Sequence, residues 1–148
     1  MFSIDSHMHC GIQNANLPYE NILPLLQNAN IDYACLYPPV EDIYDRYDYN
    51  FIDNQNWINN RKKANQYLLD LSINNKIFPY FFVWNDFDTS ILDKGFKGIK
   101  WHRHSDEPNY NYKDEKCEHF LKKIYELQLP IVFEEEFKNT LYFLERVN

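Results

Sequence analysis

The feature that most limits the fold of this chain is a regular alternation of short apolar runs with longer segments of helical periodicity. Apolar runs typical of strands lie at residues 2–5, 33–37, 78–84, 98–102 and 130–134. They are nearly continuous in hydrophobicity, as expected for strands that are covered on both faces in a parallel sheet. The pattern therefore predicts an α/β fold of parallel β/α units within one domain spanning residues 1–148.

Helical periodicity separates these runs. The predicted helical faces are Ile22, Leu25, Leu26 and Ala29 after Pro18; Trp57, Arg61, Ala64, Leu68 and Leu71; Cys117, Phe120, Leu121, Ile124 and Leu127; and Phe137, Leu141 and Leu144. A short helix near Ile91 is expected to end at Gly95, where a left-handed cap is least costly. A Tyr- and Asp-rich segment at residues 40–56 is too long for a simple connection, and it fits either a lid that recognises substrate or a solvated excursion.

Alternation alone fits both a β/α barrel and an open doubly wound sheet, and both place function at the carboxyl ends of the strands. A dinucleotide-binding sheet needs a glycine-rich turn after the first strand, but Gly11 stands alone there and the whole chain has only three glycines. A Walker-type phosphate loop is also missing. The sequence thus disfavours an open-sheet nucleotide-binding protein.

His7 and His9 follow the first strand directly. Residues two apart on a strand point the same way, so both imidazoles can reach one cation, and neutral imidazole is a preferred ligand of Zn²⁺. The alternative is that they are two polar residues that close a strand. Their place at the carboxyl end of a strand favours the interpretation as metal ligands.

The fourth predicted strand brings Lys100, His102 and His104 to the same edge. If Gly98 faces the sheet interior, Lys100 and His102 share that side, and Ile99 and Trp101 pack outward against helices. On the functional interpretation Lys100 and His102 are the catalytic candidates. On the alternative, the strand runs into a solvated turn and residues 103–107 form a charged loop.

The fifth strand ends in Glu134, Glu135 and Glu136. A carboxylate at the end of a buried strand is costly unless a cation or a donor meets it, and a metal held by His7 and His9 would meet it. Alternatively these acids only begin the last helix, where they interact favourably with its dipole. Glu134 lies nearest to the strand and is the predicted third metal ligand.

The amino-acid composition limits the kinds of molecule that the protein is expected to bind. The net charge of −7 argues against nucleic acid, and no apolar run is long enough to span a membrane. Three widely spaced cysteines fit reduced thiols in the cytoplasm better than disulfides: Cys35 and Cys117 suit the core, and Cys10 is either a ligand or a buried side chain. His119 fits a surface position on a helix. A small-molecule substrate is the expected partner.

Three stretches resemble the amidohydrolase superfamily, in particular its amidohydrolase-2 branch, which includes decarboxylases of aromatic acids. "IDSHMHCG" resembles the first-strand Asp-x-His-x-His motif, "GFKGIKWHRH" resembles the fourth-strand segment, and "LPIVFEEE" resembles the fifth-strand segment. The resemblance implies a (β/α)8 barrel with one or two divalent metals, zinc foremost and manganese or iron otherwise, with His7 and His9 as ligands. Glu134 stands where that family usually has a histidine, and Lys100 would correspond to the carboxylated lysine of binuclear relatives.

The chain is short for this fold. A complete barrel needs about 250 residues, so 148 residues account for about five of eight units. We expect a truncated barrel that is part of a longer protein, a half-barrel completed by a homo-oligomer or a second chain, or an open sheet that has lost catalysis. The leading functional hypothesis is a metal-dependent hydrolase whose metal-activated water attacks a C–N or C–O bond. The alternatives are a decarboxylase on the same scaffold and a non-catalytic metal-binding or assembling half-barrel.

Overall fold

A computed structural model describes residues 2–147. Its five strands are β1 (Ile4–His9), β2 (Tyr33–Tyr37), β3 (Ile77–Phe82), β4 (Gly98–His102) and β5 (Ile131–Glu134). They form one sheet in the order β1-β2-β3-β4-β5, and every neighbouring pair is parallel. The sheet curls into a half-barrel, so the predicted α/β class and the parallel β/α units are confirmed.

Four α-helices connect or follow these strands: α1 (Tyr19–Asn28), α2 (Gln55–Ser72), α3 (Glu115–Glu126) and α4 (Phe137–Val147). Side-chain caps start two of them: Asn54 accepts from two backbone N–H groups at the start of α2, and Asp114 accepts from one at the start of α3. The short helix predicted near Ile91 is a 3₁₀ turn, Leu92–Lys94. It ends at Gly95, whose φ of 126° is open to glycine at little cost.

The first strand is longer than its apolar run. Pairing with β2 continues to His9, which lies opposite Tyr37, so the two histidines belong to β1 itself. The register shifts between Asp5 and Met8, where β1 carries one residue more than β2. Such a bulge re-aims the side chains next to it, and His7 lies within this one.

The parity predicted for β4 is confirmed. Ile99 and Trp101 are fully buried on the outer face, and Trp101 packs against Phe120 of α3 with ring centroids 6.1 Å apart. Gly98 faces the opposite way, where an added Cβ would lie 2.2 Å from a ring carbon of Tyr80. The small residue therefore lets Tyr80 lie flat on the inner face beneath the polar strand ends.

The last helix shows a difference from its predicted face. α4 is present, but Phe137, Leu141 and Leu144 are 77%, 46% and 46% exposed, and Phe143 is the residue buried against Trp101 and Phe133. The helix itself is confirmed, but the face that it buries is not the predicted one. Which face packs on the sheet depends on tertiary contacts, and the helical period of the sequence does not specify them.

The segment at residues 40–56 is tied to the body of the protein. Ile43 and Tyr44 are fully buried. Arg61 of α2 donates to the Ile43 carbonyl at 3.0 Å and pairs with Asp53 and Asp86. The first part of the segment is therefore neither a free lid nor a solvated excursion. Within residues 2–147, none of the helices combines the length and the hydrophobicity that crossing a bilayer requires.

Candidate functional site

Side chains from β1, β4 and β5 meet at the inner face of the sheet, at the carboxyl ends of the strands. Lys100 Nζ donates to Glu134 Oε2, and His102 Nδ1 lies 2.5 Å from the same oxygen. Lys100 Nζ also lies 3.4 Å from His7 Nε2. The structure therefore brings together four of the sequence-predicted residues in one hydrogen-bonded set.

The bulge in β1 positions His7. Asp5 Oδ1 accepts a hydrogen bond from the His7 backbone N–H at 2.9 Å, a local turn that satisfies a donor released from the ladder. The Asp5 carboxylate thus supports the backbone that carries the histidines. Sequence reasoning did not assign this role to Asp5, although the Asp-x-His spacing is what an Asx-type turn requires.

His9 is held through one ring nitrogen. Its Nδ1 lies 3.0 Å from the Pro38 carbonyl oxygen, which can only accept, so Nδ1 carries the proton. In the neutral ring this leaves Nε2 with a free lone pair. A ring oriented by a backbone carbonyl is the usual arrangement of a metal-binding histidine. The ring centroids of His7 and His9 lie 5.2 Å apart, and those of His7 and Tyr37 lie 4.8 Å apart.

Lys100 is fully buried, which contradicts the expectation of a strand that simply runs into solvent. Its ammonium pairs with Glu134 and lies 5.3 Å from the centre of the Tyr37 ring. Burial lowers the pKa of Lys100, and the ion pair with Glu134 offsets part of that effect. A buried cation at the mouth of the sheet favours an anionic or strongly polar group beside it.

Glu134 is the acceptor of the set. Desolvation alone would raise its pKa, but the hydrogen bonds from Lys100 and His102 outweigh that effect and lower the pKa to about 2. The carboxylate is therefore charged at neutral pH, and its side chain is 43% exposed. A charged oxygen that is still open to solvent can accept a further cation or a hydrogen bond from substrate.

Burial favours the neutral form of His7, His9 and His102. Burial is the main cause that lowers the pKa of His7, and the charge of Lys100 adds to it. Burial also lowers the pKa of His9 and of His102, although a hydrogen bond to Pro38 and one to Glu134 work against it. Neutral imidazoles are the form that binds divalent metals.

A second polar cluster lies on the other side of His102, and sequence reasoning missed most of it. Glu107 is buried and accepts from Tyr44 Oη at 2.8 Å and from the His104 backbone at 2.9 Å. It also pairs with Arg46. One alternative predicted a solvated, charged loop at residues 103–107. That prediction is wrong for Arg103 and Glu107, each of which is 2% exposed.

Arg103 forms a third, closed cluster. Its guanidinium pairs with Glu135 and Glu136 and donates to three backbone carbonyls. The Glu135 side chain is fully buried, so this acid is neutralised by an arginine and does not merely begin α4 in solvent. Nothing in the sequence pattern distinguished Glu135 from a solvated helix-starting acid.

The predicted ligand set of His7, His9 and Glu134 is less compact than a metal site. Within residues 2–147, the potential ligand atoms of three residues that lie within 4.8 Å of one another belong to His102, His104 and Glu107. Lys100 lies between His7 and Glu134 and holds both. The assignment of His7, His9 and Glu134 as metal ligands stays a prediction.

The remaining candidates have structural positions. Cys10, Cys35 and Cys117 are buried free thiols, and burial is the main cause that raises the pKa of Cys10 to about 12 and of Cys117 to about 11. His119 lies on the exposed side of α3, as predicted. None of these groups adds a nucleophile or a ligand to the strand ends.

Comparison of the chain with models of protein families, with curated proteins and with solved structures gives no match. Function must therefore be inferred from the residues at the strand ends and from the sequence motifs around them.

Proposed function

We propose that the protein is a metal-dependent hydrolase of the amidohydrolase type, or the part of one that carries its first metal ligands. The observation that carries the proposal is the convergence of His7, Lys100, His102 and Glu134 in one hydrogen-bonded set at the carboxyl ends of parallel strands. In β/α barrels this end of the sheet is where active sites lie.

The chemistry of the donors fits a divalent cation. His7 and His9 are neutral, Glu134 is ionised, and the Nδ1 of His9 is occupied by a carbonyl, so its Nε2 remains as a ligand. Two imidazoles and one carboxylate are a common ligand set for catalytic zinc, and they also suit iron and manganese. The Lys100 ammonium contacts both His7 and Glu134, so a metal held by these two side chains would displace it from between them.

In this proposal His7, His9 and Glu134 hold the metal, and the metal supplies an activated water at neutral pH. Lys100, whose ammonium already contacts His7 and Glu134, binds the polar or anionic group of the substrate. His102 holds a proton on Nδ1 and donates it in a hydrogen bond to Glu134 across 2.5 Å, which orients the ring. The Tyr37 ring beneath Lys100 excludes water from one side.

A decarboxylation on the same site is the second candidate, and one observation favours it. Lys100 is a fully buried cation that lies 3.4 Å from a neutral histidine nitrogen. A substrate carboxylate would compete with Glu134 for the Lys100 ammonium, and this ammonium, whose pKa burial lowers, would donate the proton that replaces the lost carboxyl group. Hydrolysis of amides and esters and release of CO₂ from aromatic acids are therefore the two assays to run.

The sheet leaves β1 and β5 as its edges within residues 2–147, and none of the six residues of β1 is buried. Unpaired edges are a liability that proteins normally cover. We propose that further β/α units, a second chain or another copy of this chain covers these edges, as in a completed barrel. The mass of the protein in solution tests the last of these options.

Metal binding tests the proposed function directly. Protein purified without chelator and loaded with Zn²⁺ should bind metal, and the His7→Ala/His9→Ala variant should bind one equivalent fewer. His119→Ala is the matched control, because it also removes a histidine but from an exposed position on α3. Equal metal content in the double variant and the wild type would refute the assignment of His7 and His9.

A further inference from the structure

The His102, His104 and Glu107 cluster has the composition of a metal site and does not include His7 or His9. One ligand atom from each of its three residues lies within 4.8 Å of the other two. His102 connects it to the site described above, because its Nδ1 faces Glu134 and its Nε2 faces Glu107.

His102 Nε2 is the atom that most needs explaining. Nδ1 donates to the Glu134 carboxylate, which can only accept, so in the neutral ring Nε2 carries a lone pair. This atom is buried and makes no hydrogen bond. Glu107 Oε2, another acceptor, lies 3.6 Å from it. Two buried acceptors that face each other are unfavourable unless a proton or a metal cation lies between them.

The spacing suits a first-row metal. Bonds of about 2.0–2.1 Å place two ligand atoms of a tetrahedral site roughly 3.3–3.4 Å apart. The observed separations are 3.6 Å from His102 Nε2 to Glu107 Oε2 and 3.8 Å from His104 Nδ1 to Glu107 Oε1. These two pairs involve different oxygens of Glu107 and exceed that spacing by a few tenths of an ångström, and the three ligand atoms together lie within 4.8 Å of one another.

The supporting hydrogen bonds are those that orient metal ligands. Glu134 holds the His102 ring by its second nitrogen, a carboxylate–histidine arrangement common behind metal ligands. Tyr44 Oη and the His104 backbone N–H both donate to Glu107 Oε2 and hold that carboxylate in place. Two of the three ligands are thus held before any ion arrives.

Arg46 occupies part of the same space. Its guanidinium pairs with Glu107 and lies 3.5 Å from His104 Nδ1. It supplies the positive charge that the Glu107 carboxylate needs, and a metal would compete with it. Solvent reaches the site at His104, whose side chain is 56% exposed and lines a cleft of about 490 Å³, whereas His102 and Glu107 are buried behind it.

We propose that His102 Nε2, His104 Nδ1 and a Glu107 carboxylate oxygen bind a divalent first-row cation, zinc foremost, at a site separate from His7 and His9. Arg46 pairs with Glu107 in the metal-free site, and the cation displaces its guanidinium when it binds. The inference does not depend on the proposed hydrolase activity, since it rests on different ligands.

The test uses the His7→Ala/His9→Ala variant, in which three of the five histidines remain. In ¹⁵N NMR of labelled histidine at pH 7.5, Zn²⁺ should shift His102 Nε2 and His104 Nδ1, with saturation at one equivalent. His119 serves as the internal reference and should not shift. The same titration of wild-type protein gives the answer if the double variant proves unstable, since the two resonances of interest are present there as well.

Two further variants separate a ligand set from a merely structural cluster. His104→Ala, at an exposed position, should weaken zinc binding in the double-variant background by tenfold or more. Arg46→Gln should tighten it by about tenfold, because the competing charge is gone. Arg46→Gln would leave the affinity unchanged if no metal competes for Glu107.

The proposal is overturned if Zn²⁺ shifts neither His102 nor His104, if it shifts His119 equally, or if His104→Ala binds zinc as tightly as its parent. A protonated His102 Nε2 that zinc does not displace would also overturn it. If the His7→Ala/His9→Ala variant loses one equivalent of zinc and keeps another, both sites are supported. If it binds as much zinc as the wild type, only the site assigned to His7 and His9 is rejected.

Discussion

Two polar clusters arise from neighbouring residues at the ends of β4 and β5, and they differ in how completely their atoms are paired. Arg103 makes five hydrogen bonds through its guanidinium, and its side chain is 1% exposed. His102, the residue before it, has a buried ring nitrogen with no hydrogen-bond partner. One cluster is saturated and the other is not.

Strand parity separates them. Lys100, His102 and Glu134 point to the inner face, where Glu134 is 43% exposed and its carboxylate can still accept. Arg103 and Glu135 follow with the opposite parity and are sealed beneath the loop and α4. Burial of charge is therefore not by itself a sign of function. A fully paired cluster stabilises the fold, whereas an incompletely paired one is where a ligand can bind.

The largest expected effect is in the closed cluster. Arg103→Met should lower the free energy of unfolding by about 3–5 kcal/mol, because it leaves the Glu135 carboxylate buried without its cation. Urea denaturation followed by circular dichroism measures this. Lys122→Met is the control, because Lys122 is exposed on α3 and should cost no more than about 0.5 kcal/mol. A loss below 1 kcal/mol for Arg103→Met would show that this cluster is not the more tightly held one.

A smaller effect is expected at Tyr112. Its hydroxyl donates to Glu135 Oε2 at 2.6 Å, and the carboxylate has no exposed surface. Tyr112→Phe should cost about 1–3 kcal/mol, since a buried charged acceptor loses one donor but keeps Arg103. The measurement is again urea denaturation. Stability equal to that of the wild type would mean that Arg103 alone satisfies Glu135.

The incompletely paired cluster of Lys100, His102 and Glu134 should make the free energy of unfolding depend on pH. The pKa of Glu134 in the folded protein is lowered to about 2, below its value of 4.5 in an unfolded chain. Its contribution to stability is therefore complete above about pH 4.5 and is lost as pH falls toward 2. In chelator, wild-type stability should fall more steeply across this window than that of Glu134→Gln. Glu126→Gln, at an exposed position, should follow the wild-type curve; coincident curves for all three would contradict the assignment.

The smallest stability effect is expected at His7, which is exposed on the edge strand. His7→Ala should change the free energy of unfolding of metal-free protein by no more than about 0.5 kcal/mol. The same substitution should remove metal binding at the first site, so function and stability separate at this residue. A loss above 2 kcal/mol would place His7 among the residues that hold the fold.

Much of the fold was predictable from the sequence because it depends on local periodicity. The five strands, the four helices and the inward direction of Lys100 and His102 follow from alternation of period two and near-continuous apolar runs. The bulge in β1 was not predictable, since it depends on register with β2. The buried positions of Arg103 and Glu107 were not predictable either, because partners on separate segments neutralise them.

The candidate site divides in the same way. The sequence by itself determined which residues end the strands, and hence that His7, His9, Lys100, His102 and Glu134 share one edge of the sheet. Only the tertiary structure decided their partners: Lys100 lies between His7 and Glu134, and His102 faces Glu107. The physical reason is that strand direction and parity are local properties, whereas the neutralisation of a buried charge depends on residues tens of positions away in the chain.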